Sequence, residues 1–288
     1  MGIFGYRKEG AYIYTVNNNK IKVMSNIKIK RGRPVGKGSV VSRFKPTTMV
    51  MDDFKFNPEL FVPMKTNKKI DNLLSSEGGL MKGTNVAFFG DPGVGKTTVL
   101  LDILADLQSN GHKTLFISGE MNQIDMVGMV KRFPKFGQLP ILFMGDWIEN
   151  DPLVILKSIL SEGWDAVLID SFAELAVAIQ DFHGGTLKSA ETQLLNLFEK
   201  HNKAENQGKI NTCFMIIQQV TKGGEFAGSN RFKHMITAMA HMKFTVEGSR
   251  AIWFSKNRRG GEMNKQHFSL DTANHVGWLF TEPLNMAI

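Results

Sequence analysis

A glycine-rich segment that ends in one lysine and two threonines is the clearest chemical feature of this sequence. It matches the phosphate-loop pattern G-x-x-x-x-G-K-S/T without a gap and consists of Gly90, Asp91, Pro92, Gly93, Val94, Gly95, Lys96, Thr97 and Thr98. Glycines let successive backbone N–H groups point at a bound phosphate, and the positive end of the following helix adds to that field. Lys96 can reach the β- and γ-phosphates, and the Thr97 hydroxyl can bind Mg²⁺. The segment therefore predicts a nucleoside triphosphate site.

Two acidic residues follow predicted strands and could complete such a site. Asp170 comes directly after the apolar run 166–169, where a second Mg²⁺-positioning carboxylate is expected. Its alternative role is to cap the next helix. Glu120 ends the segment 116–120, and a carboxylate there could orient and deprotonate an attacking water. The sequence favours the metal role for Asp170, whereas for Glu120 a solvated position at the start of the next helix is an equal alternative.

Polar side chains also end two later strands. Gln218 and Gln219 follow the apolar run 212–217, and an amide there could sense the γ-phosphate because it both donates and accepts hydrogen bonds. Neighbouring strand residues point to opposite faces, so only one can face the site, and Gln219 is favoured. Lys256 and Arg258 lie in a basic turn after another predicted strand. This turn is either solvated or a cationic finger that stabilises transition-state charge in a neighbouring subunit's nucleotide site.

The positions of these residues depend on alternating strands and helices. Unbroken apolar runs predict strands that are buried on both faces, at 86–89, 114–117, 141–144, 166–169 and 212–217. Helical patterns and helix-end signals predict helices at 97–110, 123–133, 152–162 and 188–203. After residue 240 the pattern becomes strand-rich, with strands at 241–246, 251–255 and 266–270. The alternation predicts the α/β class with a mostly parallel central sheet.

The charge of the chain is concentrated at its N-terminus. Of the 35 basic and 27 acidic side chains, which give a net charge of +8, residues 1–50 hold eleven and one. The rest of the chain therefore carries 24 basic and 26 acidic groups. We predict a basic arm at 1–50, with a small hairpin formed by 12–16 and 20–24, attached to a nearly neutral domain at 51–288. Basic arms most often contact nucleic acid.

A short segment of this arm has a more specific pattern. Lys30-Arg31-Gly32-Arg33-Pro34 resembles an AT-hook, in which the two arginines lie in the narrow minor groove of A·T-rich DNA. A generic basic linker is the alternative. Elsewhere the sequence has no apolar run long enough to cross a bilayer. We therefore expect a cytoplasmic protein without a membrane partner.

The segment from about residue 65 to residue 277 resembles the RecA-like ATPase domain of the RadA/Sms DNA-repair proteins, which belong to a wider group that also includes the DnaB-type replicative helicases and KaiC. Four stretches carry the resemblance: the phosphate loop, Ser118-Gly119-Glu120-Met121, Gln219-Val220-Thr221-Lys222-Gly223-Gly224 with the residues that follow it, and Lys256-Asn257-Arg258 with Gly260. They look like the family's phosphate loop, catalytic-glutamate segment, sensor with a DNA-facing loop, and K-N-R-F-G motif. They occur in the family's order.

The resemblance implies a role for each stretch. Glu120 would be the general base, Gln219 the sensor, and Lys256 and Arg258 would act across a subunit boundary in a ring or filament that uses ATP and Mg²⁺. The loops near 174–188 and 221–234 would face single-stranded DNA. Basic and aromatic side chains in the second loop suit that contact, because they neutralise phosphates and stack on bases; they are Lys222, Phe226, Arg231, Phe232 and Lys233.

The sequence also departs from the family pattern. Cys213 is its only cysteine, so we expect neither a disulfide nor the family's four-cysteine zinc module, and its protease-like domain is not expected either. Arg259 stands where the K-N-R-F-G motif has Phe. We predict an ATP-dependent motor that translocates on or remodels single-stranded DNA in recombination, repair or replication. The alternatives are a filament-forming strand-exchange recombinase, a P-loop small-molecule kinase and a non-catalytic DNA-binding scaffold.

Overall fold

The computed structural model describes residues 2–7, 10–17, 20–23, 48, 50–53, 57–218, 230–246, 248–270 and 274–283. It divides into two compact units, Met1–Lys55 and Phe56–Ile288. In the first unit, β1 (Gly2–Arg7), β2 (Gly10–Asn17) and β3 (Lys20–Val23) form an antiparallel sheet in that order. Strands β2 and β3 occupy the place of the predicted hairpin, whereas β1 was not predicted. The AT-hook-like segment lies outside the described residues.

The second unit is built on one nine-stranded sheet with the order β12-β11-β10-β9-β4-β8-β7-β5-β6. Its strands are β4 (Asn85–Gly90), β5 (Thr114–Ser118), β6 (Ile141–Phe143), β7 (Ala166–Asp170), β8 (Cys213–Ile217), β9 (Ala238–Phe244), β10 (Arg250–Asn257), β11 (Asn264–Ser269) and β12 (Gly277–Pro283). Neighbouring strands are parallel along the stretch β9-β4-β8-β7-β5-β6. They are antiparallel along the stretch β12-β11-β10-β9. The predicted α/β class with a mostly parallel sheet is confirmed.

Seven helices connect the described strands and cover the sheet. They are α1 (Asp71–Leu74), α2 (Lys96–Ser109), α3 (Gln123–Arg132), α4 (Pro152–Ser161), α5 (Phe172–His183), α6 (Leu187–Asn202) and α7 (Asn230–Met235). Local sequence fixes several of their ends. Asn122 forms a capping box with Asp125 at the start of α3, and Asp151 caps α4 ahead of Pro152. No helix among the described residues is both long and apolar enough to cross a membrane.

The core consists of two layers, one on each face of the sheet. Along β4, Val86 and Phe88 belong to the layer that includes α2, while Ala87 and Phe89 belong to the layer that includes α4, α5 and α6. All four side chains are buried. A slip of one residue would exchange the faces of the whole strand, so burial on both sides fixes its register and the position of its carboxyl end.

The largest error in the predicted elements concerns a segment between β7 and α6. We predicted a DNA-facing loop at 174–188, but α5 runs to His183 and α6 begins at Leu187, so only three residues connect the helices. The helical signal was present, because Phe172, Leu175 and Ile179 are buried at helical spacing on one face. Strand β12 was also not predicted.

Candidate nucleotide site

The carboxyl ends of β4, β5 and β7 meet at one edge of the sheet. Strand β8 lies between β4 and β7, and β5 follows on the far side of β7. The phosphate loop connects β4 to α2, with positive φ angles of 78° at Gly93 and 97° at Gly95. The backbone conformation of Gly95 is one that favours glycine, because its φ is positive; a Cβ there would also displace the end of the Leu270 side chain. The sheet thereby directs the loop and two acidic strand ends towards one cavity.

The Lys96 side chain folds back over the loop. Its Nζ donates hydrogen bonds to the carbonyl oxygens of Gly90 at 2.8 Å and Asp91 at 3.0 Å. Burial lowers the pKa of Lys96, and the negative charges of Asp170, Asp91 and Glu120 oppose that shift. A partly desolvated ammonium held over a loop of backbone N–H groups is suited to bind a phosphate oxygen, because both the ammonium and the N–H groups donate hydrogen bonds to it.

Thr97 and Asp170 are brought together as predicted for a metal pair. The Thr97 hydroxyl donates a hydrogen bond of 2.6 Å to Asp170 Oδ2. Asp170 is only 4% exposed, and burial raises the pKa of its carboxyl to about 6. The charge of Glu120 adds to that shift, whereas the Thr97 hydrogen bond and Lys96 oppose it. A bound cation would relieve this unfavourable burial of negative charge.

The oxygen atoms of Thr97 and Asp170 are suitable ligands for Mg²⁺, but two ligands are too few for a metal ion that is bound by protein side chains alone. The described residues contain no group of three or more His, Cys, Asp or Glu side chains placed to hold a metal ion. Mg²⁺ in proteins is commonly bound by one or two side-chain oxygens together with substrate phosphates and water. Thr97 and Asp170 can supply that protein share, with the remaining ligands coming from the nucleotide.

Glu120 lies in the same cavity, on the segment that follows β5. The cavity has a volume of about 650 Å³, and Lys96, Thr97, Asp170 and Glu120 are among its lining residues. The Gly119 N–H donates to the Asp170 carbonyl at 2.7 Å, which holds this segment against β7. The Ser118 hydroxyl exchanges two 3.0 Å hydrogen bonds with the Met121 backbone, on the other side of Glu120. Glu120 is therefore placed by a bonded turn.

Comparison with known proteins gives a consistent set of relatives, although no protein-family model matches the chain. DNA repair protein RadA of Campylobacter jejuni is 29% identical over 188 residues, which are 64% of this chain and 39% of that protein. DNA repair protein RadA of Aquifex aeolicus is 26% identical over 240 residues, 77% of this chain and 50% of that protein. The chain thus spans two fifths to one half of the length of these relatives.

A solved structure supports the fold independently. A KaiC-like protein from the hyperthermophilic archaeon Pyrococcus horikoshii superimposes with a TM-score of 0.52 and 16% identity, covering 71% of this chain and 93% of that one. The chain therefore contains a core that is similar to RadA proteins in sequence and has the RecA-like α/β fold. The resemblance inferred from the four sequence stretches is confirmed at this level.

Several predicted residues of the RadA-like core lie away from the cavity lining. Lys256 Nζ donates to the carbonyls of Lys233 at 2.7 Å and Ile236 at 2.6 Å, and Arg258 Nη2 donates to the His234 carbonyl at 3.4 Å. Both cations therefore bind the C-terminal end of α7, where they compensate the helix dipole. The side chains of six further predicted residues lie outside the described part of the chain; they are Arg31, Arg33, Gln219, Lys222, Phe226 and Arg231.

The prediction that Phe232 stacks on DNA bases is wrong. Its side chain is 1% exposed and makes edge contacts with Phe172, at 4.8 Å between ring centroids, and Phe89, at 6.5 Å. Helix α7 therefore buries this ring in the core. Lys233, the next residue, is exposed, so one face of α7 anchors the helix while the other carries charge. The backbone of Arg231 lies in the same helix.

Two arginines that were not predicted also line the cavity, Arg132 at the end of α3 and Arg250 at the start of β10. The Arg250 Nε is buried and has no hydrogen-bond partner among the described residues, and its guanidinium lies 5.2 Å from the Phe244 ring centroid. The predicted strand began at residue 251, so Arg250 fell outside every element. Its place at the cavity follows from strand pairing, since β9 and β10 turn back at this edge.

The raised pKa of Asp170 predicts a stability effect in nucleotide-free protein. The cost of burying the charged carboxylate is fully present above pH 6 and falls away as pH drops towards 3.8, the pKa of an unperturbed Asp. Asp170→Asn should therefore raise the free energy of unfolding by up to about 3 kcal/mol at pH 8, and by about half of that at pH 5. Urea unfolding at the two pH values measures this difference. Asp181→Asn, on the exposed side of α5, is the matched control; equal effects of both substitutions would contradict the raised pKa.

Proposed function

We propose that this chain is a Mg²⁺- and ATP-dependent motor that moves on or remodels single-stranded DNA in repair, recombination or replication. The observation that carries the proposal is the convergence of the phosphate loop, the Thr97–Asp170 hydrogen bond and Glu120 in one cavity. Its placement on DNA rests on the likeness to proteins named for DNA repair and on the basic segments of the chain.

The residues of the cavity divide the work of hydrolysis. The loop N–H groups and Lys96 bind the β- and γ-phosphates, and Thr97 and Asp170 hold Mg²⁺, which when bound neutralises charge on the phosphate oxygens. Glu120 orients a water for in-line attack and accepts its proton. Gln219 senses the γ-phosphate. The reaction releases ADP and phosphate, so the free energy of the terminal anhydride is available for movement.

The proposed site is completed by a second copy of the chain. Lys256 and Arg258 both donate hydrogen bonds to backbone carbonyls at the end of α7. In a ring or filament, these cations would reach the neighbour's nucleotide and stabilise charge in the transition state. Because their partners are the carbonyls of α7, a movement of that helix would release or withdraw them.

The same helix connects the nucleotide to DNA in this proposal. Helix α7 directly follows the segment that contains Lys222 and carries Arg231 and Lys233. DNA bound by these residues would bias the position of α7 and thereby the cations at its end. Arg31 and Arg33 would add a contact with A·T-rich duplex through the N-terminal arm.

A streptavidin-displacement assay tests the motor directly. ATP should accelerate displacement of streptavidin from one end of a biotinylated single strand by about tenfold or more, because a translocating protein pushes from one direction. A non-hydrolysable ATP analogue is the control. Equal displacement with and without ATP would reject the motor; electron microscopy of the same complexes would then show whether DNA-coated filaments, as in a strand-exchange recombinase, form instead.

A further inference from the structure

The antiparallel part of the sheet has one buried face and one open face. Met242, Ile252 and Phe268 pack on the buried face, in the layer that includes α2. On the opposite face, Trp253 of β10 is paired with His241 of β9. Ala251 of β10 lies between its two partners, Lys243 on β9 and His267 on β11, so all of these residues share that face. Lys243 on this face is exposed, and Trp253 is half-buried. We call this surface, formed by His241, Lys243, Trp253, Lys265 and Phe280, the open face.

A continuous row of aromatic rings leads from the core under α7 to the open face. Phe232 contacts Phe89 at 6.5 Å between centroids, Phe89 contacts His241 at 5.8 Å, and His241 stacks on Trp253 at 5.6 Å with an angle of 21° between the rings. The His241 Nε2 bonds to Ser255 Oγ at 2.7 Å. Trp253 is thus a half-buried ring that stacks on a second ring and also lines a hollow on this face.

Cations flank this ring in a shallow hollow. The hollow has a volume of about 340 Å³ and is lined by Lys243, Trp253, Lys265, His267 and Glu282, among others. Glu282 lies 3.8 Å from Lys265 Nζ and 3.0 Å from His267 Nε2. Glu282 is therefore shared by Lys265 and His267, and Lys243 has no ion pair within the described residues. Phe280, stacked on His267 at 4.2 Å, is 57% exposed and extends the aromatic surface.

We propose that the open face binds single-stranded nucleic acid, with a base stacked on Trp253 and the backbone phosphates next to Lys243 and Lys265. An aromatic ring between cations is the arrangement by which proteins bind single strands without reading their sequence. Helix α7, which carries the exposed Lys233, is joined to the open face by the contacts of Phe89 with Phe232 and with His241. This inference rests on the proposed function, because it extends the DNA path of the motor. The positive charge favours a polyanion over a second copy of the chain.

Equilibrium binding of a labelled dT oligonucleotide to the full chain tests the open face without turnover. With Mg²⁺ and a non-hydrolysable ATP analogue, Trp253→Ala should weaken binding by about 5- to 100-fold in fluorescence anisotropy, because one base–ring stack is lost. Trp253→Phe should retain most of the affinity but lose the quenching of tryptophan emission on binding. Lys243→Gln and Lys265→Gln should each reduce the slope of log affinity against log salt by about 0.7.

Trp147→Phe is the matched control, because Trp147 is 46% exposed on a different element, the 3₁₀ turn before α4. This variant should keep both the affinity and the quenching.

The outcomes separate the open face from the proposed function. If wild-type protein binds the oligonucleotide and the variants show unchanged affinity, quenching and salt slope, the open face is overturned while the proposed function stands. Wild-type protein that binds no single strand would overturn both. A lower assembly mass for Trp253→Ala with unaltered DNA affinity would identify a subunit interface and also reject the proposal. If Trp253→Ala does not fold, the exposed Lys243→Gln variant decides.

Discussion

Replacement of Glu120 by Gln is expected to lower ATP turnover by about 10²- to 10⁴-fold while ATP still binds. Gln has the shape of Glu but cannot accept a proton from the attacking water. The phosphate loop, Thr97 and Asp170 remain intact, so the phosphates and Mg²⁺ keep their ligands. Phosphate release measures turnover, and isothermal titration with Mg²⁺–ATP measures binding.

The control for this substitution is Glu199→Gln. Glu199 lies on α6 and pairs with Lys203 at 2.6 Å, with a side chain that is 46% exposed. Loss of an exposed pair of this kind should leave turnover unchanged. Full activity of Glu120→Gln would remove Glu120 from its proposed role, and loss of ATP binding would show that it holds the nucleotide instead.

Replacement of Lys96 by Ala is expected to abolish measurable turnover, with a loss of about 10²-fold or more. The ammonium is the phosphate loop's own positive side chain, and it already lies over the loop, 2.8 Å from the Gly90 carbonyl oxygen. Nucleotide binding should also weaken, so Mg²⁺–ATP should raise the melting temperature of wild-type protein more than that of the variant. Lys157→Ala, at an exposed position of α4, should behave as wild type. Normal turnover by Lys96→Ala would refute the site.

The inactive Lys96→Ala chain also provides a test of the shared site. Its own Lys256 and Arg258 are intact, so it can complete the site of a Lys256→Ala or Arg258→Ala neighbour whose phosphate loop is intact. In an equal mixture, one interface in four combines the two intact halves, so about a quarter of wild-type turnover should return. No recovery at any mixing ratio would place the role of these cations within one chain, at the end of α7.

The parts of the site that could be predicted from sequence are those fixed by local pattern. The phosphate loop is a contiguous motif, and Asp170 and Glu120 follow from the rule that parallel strands bring their carboxyl ends to one edge. Arg250 and Phe232 could not be placed in this way. The position of Arg250 depends on how β9 and β10 pair, and the burial of Phe232 depends on which face of α7 packs against Phe172 and Phe89.

The order of the strands in the sheet could not be predicted from sequence either. A run of apolar residues shows that a strand is buried, but not which neighbour it pairs with, so the order that puts β8 between β4 and β7 was not available from the sequence. Helix α5 was missed because the family resemblance implied a loop there, although Phe172, Leu175 and Ile179 had helical spacing.

The decisive experiment is steady-state ATP hydrolysis with and without single-stranded DNA, combined with the mass of the assembly. We expect that the chain assembles, that hydrolysis requires Mg²⁺, and that single strands increase the rate of hydrolysis several-fold. A chain that stays monomeric with nucleotide and DNA, and releases no more phosphate than the Glu120→Gln variant, would contradict this expectation.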